Sequence, residues 1–205
     1  LAHKLPDSCR AQVQALDVAR LAELEPALAG RFDGGLFLQS EGQLANDQWM
    51  ATLATELDRL GVRWHESQAV ERVDAGRIVC ANASYDVDVA VDARGVGSKA
   101  QWPVAHALRG VRGEVLRVEC HGVTLQRPVR VMHPRYALYV VPRPGHQFVV
   151  GATELESEDT GPVTLRSTLE LGSALYSLHP AFGEARVLRL SAALRPALAD
   201  HRPAV

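Results

Sequence analysis

At Val62 the spacing of apolar residues switches from a helical period to strict alternation, and this switch limits the fold more than any other feature of the chain. Before it, Val13, Leu16, Leu21, Leu24 and Leu28 keep helical spacing, so residues 12–28 read as a helix that Pro26 kinks or ends. Gly30, Gly34 and Gly35 then open a loop. Asn46 is the expected cap of a second helix running to Leu60, with Trp49, Met50, Leu53, Leu57 and Leu60 along one face and Gly61 as its stop. After the switch, residues 62–66 and 69–73 alternate as strands, and Asp74-Ala75-Gly76 suits a hairpin turn into residues 78–81. Residues 85–93 end in an apolar run expected to be a strand buried on both faces, leading into the loop Arg94-Gly95-Val96-Gly97-Ser98. Beyond Gly113 four short runs, 114–120, 129–133, 136–142 and 147–151, read as strands, with Pro142-Arg143-Pro144-Gly145 as the last turn. A helix over 164–178 and a strand over 186–193 complete an α+β chain of mixed α/β character.

Composition removes several function classes. The net charge is −2 and no basic patch is interleaved with aromatics, which argues against nucleic acid as a partner. No apolar run reaches the length needed to span a bilayer. The N-terminus has neither an initiator Met nor an apolar signal core, so the expectation is a cut inside a longer, cytoplasmic polypeptide. Cys9, Cys80 and Cys120 are odd in number and scattered, which fits reduced thiols rather than a disulfide framework or a metal site. The histidines are equally dispersed, and no metal is expected.

Two side chains stand out as candidates for chemistry. Arg195, in Leu194-Arg195-Pro196, offers a planar fork that matches a carboxylate and keeps its charge at working pH. The plain alternative is a surface arginine satisfied by water or Asp200. Tyr139 shares one face of its strand with Val141, opposite Leu138 and Val140. Either it meets a ligand, or it is a core aromatic with its hydroxyl at the rim. Glu154, Glu156, Glu158 and Asp159 are expected to form a solvated loop before the third helix. Arg112-Gly113-Glu114 reads as architectural. Nothing in the chain suggests a Ser/His/Asp triad, a P-loop or a nucleophilic cysteine.

The end of the chain, from Ala192-Ala193-Leu194-Arg195-Pro196 to Asp200 and Pro203, resembles a segment of the D-amino-acid oxidase family of flavoenzymes. So does Tyr139-Val140-Val141-Pro142-Arg143-Pro144 followed by Phe148-Val149-Val150-Gly151-Ala152-Thr153-Glu154, which is most like the glycine oxidases of thiamine biosynthesis. The resemblance runs from about Leu16 to Pro203. It implies a substrate-binding sheet with flanking helices over 111–205, and part of an FAD-binding Rossmann-like lobe with a helical insertion over 1–110. It further implies that Arg195 anchors the carboxylate of a small amino-acid substrate and that the Tyr139 hydroxyl lies near it. Val70 would offer its backbone to the adenine of FAD, and the loop at Ala93, Gly95 and Gly97 would approach the cofactor through small residues.

The loop carries Arg94 before Gly95, a large cation among small residues, and the family's G-x-G-x-x-G turn for the dinucleotide pyrophosphate is not found in the chain. The implied activity is oxidative deamination of glycine or a D-amino acid to the imine and 2-oxo acid, with release of hydrogen peroxide. This is expected of a longer parent, the present stretch alone being inactive, weak in FAD affinity and prone to self-association. Two other readings stay open, a dehydrogenase of the same fold passing electrons to a quinone, and a non-catalytic carboxylate-binding domain. A homo-oligomer is compatible with the sequence.

Overall fold

A computed structural model of the chain describes residues 13–101, 108–132 and 137–199. Cys9, Tyr136 and the Asp200 to Pro203 end of the C-terminal motif lie outside the described residues. In chain order the elements are β1 (Val13–Leu16), α1 (Val18–Leu24), β2 (Gly35–Leu38), α2 (Asn46–Arg59), β3 (Val70–Asp74), β4 (Arg77–Cys80), β5 (Ser84–Asp86), β6 (Arg109–Glu119), β7 (Val129–Met132), β8 (Ala137–Arg143), β9 (Gln147–Gly151), α3 (Leu165–Leu178) and β10 (Arg186–Ala197). Short 3-10 turns lie at Pro26–Leu28, Gly95–Ser98 and Pro180–Glu184. The mixed α/β class expected from the sequence is the one observed. The chain divides into two compact units, Leu1–Leu44 with Gly113–Glu154 and Thr160–Ala193, and Ala45–Arg112 with Leu155–Asp159 and Leu194–Val205.

The first unit is built on a five-stranded sheet of order β10-β6-β9-β8-β7, antiparallel from β6 through β7. Alternation sends Leu116, Val118, Leu138, Val140, Phe148 and Val150 to one face, where all are buried. On α3, Leu171, Ala174, Leu175 and Leu178 fall at i, i+3, i+4 and i+7 and join the same core. Each buried leucine contributes about 1.5–3 kcal/mol. Leu165 and Leu169, also on α3, are exposed. The start of α3 is fixed by Thr164, whose side-chain oxygen accepts from Ser167 N, and by buried Glu114, whose carboxylate accepts from Thr164 N at 3.3 Å and from Thr164 Oγ1 at 3.2 Å. That is an architectural role, as the sequence implied.

One expectation fails in this unit. Residues 12–28 are not a single helix, because residues 13–16 pair antiparallel with β2 and only Asp17, accepting from Arg20 N at 2.8 Å, begins a helix. Cross-strand partners supplied from Gly35–Leu38 outweigh local helical spacing. Pro26 does end α1, at the first position of the following 3-10 turn.

The second unit holds α2 and the antiparallel sheet β3-β4-β5. The turn at Asp74-Ala75-Gly76 forms as expected, with Gly76 at φ +77. Four readings need correction. The N-cap of α2 is Ala45, without a side-chain bond, and Asn46 is already helical. No residue of α2 is buried, and Trp49, Met50 and the C-cap Leu60 are exposed. Residues 62–66 make no strand, since the Trp64 indole N–H donates to Asp58 and folds the segment back on α2. Residues 87–93 make no strand either, and Val89 and Val91 are about four-fifths exposed (78% and 80%) because no described strand lies beside them to pair or cover them.

The acidic loop also differs from a purely solvated one. Glu156 accepts from Arg109 at 2.8 and 3.0 Å, Glu158 pairs with Lys99 at 2.7 Å and accepts from Gly110 N at 2.8 Å, and Asp159 takes the buried Arg112 guanidinium on its carbonyl at 2.5 Å. With reciprocal backbone bonds of 2.9 Å between Arg112 and Leu155, these carboxylates bind the loop to the start of β6. The Lys99 ion pair holds the Glu158 carboxyl below the usual range.

Candidate functional site

Tyr139 lies where alternation placed it, half-buried on the face of β8 away from the core and in company with Val141. Its position is fixed by a residue that sequence reasoning passed over. Gly151 is its cross-strand partner on β9, and a β-carbon there would stand 2.7 Å from Tyr139 Oη, 2.8 Å from Cζ and 2.8 Å from Val115 Cγ1. The phenol therefore lies over a gap that only glycine leaves. On its other side Tyr139 faces Arg130 of β7, whose guanidinium donates to Glu41, with Nε at 2.9 Å. A glycine closing a strand is a weak signal in sequence. It becomes specific only when the register shows a tyrosine opposite it.

Arg195 is exposed and belongs to β10, which continues past the expected end at Ala193 as far as Ala197. Pro196 is accommodated because β10 is the edge strand of its sheet. Arg195 falls in the second unit and Tyr139 in the first.

The four residues singled out for the cofactor all lie in the second unit. Val70 opens β3, and Gly95 and Gly97 occupy the 3-10 turn that follows Ala93. Gly95 has φ +59, a conformation that favours glycine. A β-carbon on Gly95 would stand 3.7 Å from Pro196 Cγ, and one on Gly97 3.5 Å from Arg94 Cβ, both ordinary contacts. Glycine thus supplies backbone conformation at 95, while Gly97 and Ala93 present exposed backbone with little side chain over it. The turn also has no side-chain cap at its N-terminus. Small residues and accessible backbone of this kind fit FAD approached along its flat rings or polar edges, so the residues present are compatible with that cofactor.

Arg94 joins these segments. Nε and Nη2 donate to the two oxygens of Asp92 at 2.9 and 2.7 Å, and Nη2 also donates to Gln101 Oε1 at 2.8 Å. Nη1 reaches the carbonyls of Val70 at 3.2 Å and Glu71 at 3.1 Å. The hydrogen bonds to Asp92 make the guanidinium hold its proton more firmly than usual. The Asp92-x-Arg94 spacing was visible in the sequence, whereas the acceptors on β3 were not.

Among the described residues no three of histidine, cysteine, aspartate and glutamate converge on a cation position, and Cys80 and Cys120 are buried free thiols. No described helix is long and apolar enough to cross a membrane.

Known proteins match this arrangement over nearly the whole chain. The sequence profile of the FAD-dependent oxidoreductase family DAO matches residues 3–205. A relative from Rhizobium etli, named as the thiamine biosynthesis oxidoreductase ThiO, is 45% identical over 190 residues, covering 93% of this chain and 54% of its own. The crystal structure of glycine oxidase from Geobacillus kaustophilus superposes with a TM-score of 0.79 at 22% identity, over 93% of this chain and 53% of that one. L-proline dehydrogenase from P. horikoshii gives a TM-score of 0.81 at 14% identity, over 94% of this chain and 55% of that one. At these identities the two structures establish a shared fold. The chain spans about half the length of the relatives it matches.

Proposed function

The chain belongs to the DAO family of FAD-dependent oxidoreductases, and from that premise we propose that the full-length protein oxidatively deaminates glycine or another small amino acid. The observation that carries this reading is the 45% identity to the ThiO relative across 93% of the chain. The overall reaction converts the amino acid, oxygen and water to a 2-oxo acid, ammonia and hydrogen peroxide. FAD, when bound, supplies the acceptor for the hydride that leaves the α-carbon.

In this proposal the residues of the chain bind and orient. Arg195 grips the substrate carboxylate through its planar fork, and the Tyr139 hydroxyl donates a second hydrogen bond to it. Holding that end restricts the direction in which the α-carbon presents its hydrogen, which is the main service a protein renders in such chemistry. Gly151 keeps the tyrosine ring in place from beneath. Val70 offers backbone to the cofactor, and Ala93, Gly95 and Gly97 let it approach closely. The proposed compartment is cytoplasmic, and the proposed small-molecule partner is the amino acid.

The test is the visible absorption of the full-length protein, recorded anaerobically before and after glycine. The expected result is a flavin band that bleaches on addition, with hydrogen peroxide appearing once air is admitted. A flavin band that glycine and small D-amino acids leave unchanged refutes the substrate class. A folded protein without a flavin band refutes the enzyme itself.

A further inference from the structure

We infer that Arg94 is a positioning residue that locks the backbone of Val70 and the Gly95–Ser98 turn into one register for the adenine-bearing end of the cofactor. The inference rests on the proposal that Val70 and this turn contact FAD. β3 lies at the edge of its sheet, and its pairing with β4 slips between Val70 and Arg72. The slip leaves Glu71 out of the pairing with β4, where the ladder is locally disrupted. Arg94 spans that disruption, because its Nη1 is shared between the Val70 and Glu71 carbonyls.

The guanidinium is itself held from two further sides. Asp92, whose side chain is 5% exposed, takes it bidentately, and Gln101 accepts from Nη2 while also accepting from Val73 N at 2.9 Å. All five N–H donors of the side chain therefore have acceptors, and the charge is neutralised by Asp92. A cation so engaged is not available to bind a phosphate, and its role is to transmit position. The same residue sets the glycine turn, for Arg94 N donates to Asp92 Oδ1 at 3.1 Å and Arg94 O accepts from Gly97 N at 3.1 Å. One residue thus ties together β3 and the turn, the two segments proposed to meet the cofactor. Lysine carries the charge but lacks the planar fork, so it cannot reproduce this set of bonds.

The experiment compares the full-length protein with its Arg94→Lys and Arg94→Ala variants, each stripped of flavin and titrated with FAD by fluorescence quenching. ADP, which carries the adenine end alone, is titrated as a competitor, and the melting temperature of each apoprotein is recorded. Arg94→Lys is expected to weaken FAD about tenfold, the scale of one lost charge-assisted hydrogen bond, and to weaken ADP by the same factor. Should Arg94→Ala fail to fold, the lysine variant carries the comparison. A lower melting temperature with FAD and ADP affinities unchanged would show a merely structural role and overturn the inference. Loss of FAD affinity with ADP unaffected would overturn the assignment to the Val70 end. Failure of the unaltered protein to take up FAD would instead strike the reading on which the inference rests.

Discussion

Replacing Gly151 with alanine tests how Tyr139 is held. The new β-carbon would stand 2.7 Å from Tyr139 Oη and 2.8 Å from both Tyr139 Cζ and Val115 Cγ1, against about 3.4 Å for an ordinary contact. Val115 is β-branched and stiff about χ1, so it yields little. The phenol must therefore recede by about 0.7 Å, or β9 must move. Overpacking of this kind costs about 1–3 kcal/mol. On the proposed role of Tyr139, a displaced hydroxyl also loosens its hold on the substrate carboxylate, where misplacement by about 1 Å can cost about a hundredfold in rate, so a loss of about tenfold in kcat/KM is expected of Gly151→Ala. Urea unfolding gives the stability change and steady-state kinetics the second effect. The decisive comparison adds Tyr139→Leu, which removes the phenol while the Val115 contact remains. In that background Gly151→Ala should cost about half as much, an interaction of about 0.5–1.5 kcal/mol between the two positions. If alanine costs the same whether or not the tyrosine is present, the β-carbon does not meet the ring and the account of Tyr139 fails.

Other expected outcomes follow from single contacts. On the proposed role of Arg195, Arg195→Lys loses the bidentate fork, and kcat/KM for the amino acid should fall about 10- to 100-fold with FAD content unchanged, a result that equal kinetics would contradict. Thr164→Ala removes the cap of α3 and a partner of buried Glu114, so thermal or urea unfolding should show a loss of about 1–2 kcal/mol. Glu25 is buried, and burial raises its pKa above the ordinary 4.5 despite the lowering effect of Gln126 N–H and Arg127. Its folded state thus holds the proton more tightly than its unfolded state, so its contribution to stability is greatest below 4.5 and declines as pH rises through the folded value. Relative to Glu25→Gln, which does not titrate, the native protein should gain stability as pH is lowered from neutrality toward 4.5, and parallel melting-temperature profiles would refute this.

The elements legible in the sequence are those whose pattern and partners are close together. The hairpin at Gly76, the β8–β9 turn and α3 each carry local signals that agree with their tertiary packing. The elements misread depend on distant chain. Residues 13–16 have the spacing of a helix, yet β2 is what pairs with them. Residues 87–93 have the composition of a buried strand, and a strand forms only where another lies alongside. Tyr139 and its face were readable because alternation has a fixed period, whereas Gly151 needed the register as well.

Arg94 shows the same limit within the candidate site. In sequence it is a large cation in a loop otherwise made of small residues, Ala93, Gly95, Val96, Gly97 and Ser98. In the fold the cation is neutralised by Asp92 two residues earlier, and its remaining donors serve Gln101 and the carbonyls 23 and 24 residues away. The side chain thus adds bonds to β3 at the slip in its pairing with β4. A bulky cation among small residues can therefore support the site, and the arginine and the irregularity in β3 are best understood as one feature. Regular pairing at Val70 and Arg72 would leave the guanidinium with less to do, and a small residue at position 94 would leave the slip unsupported.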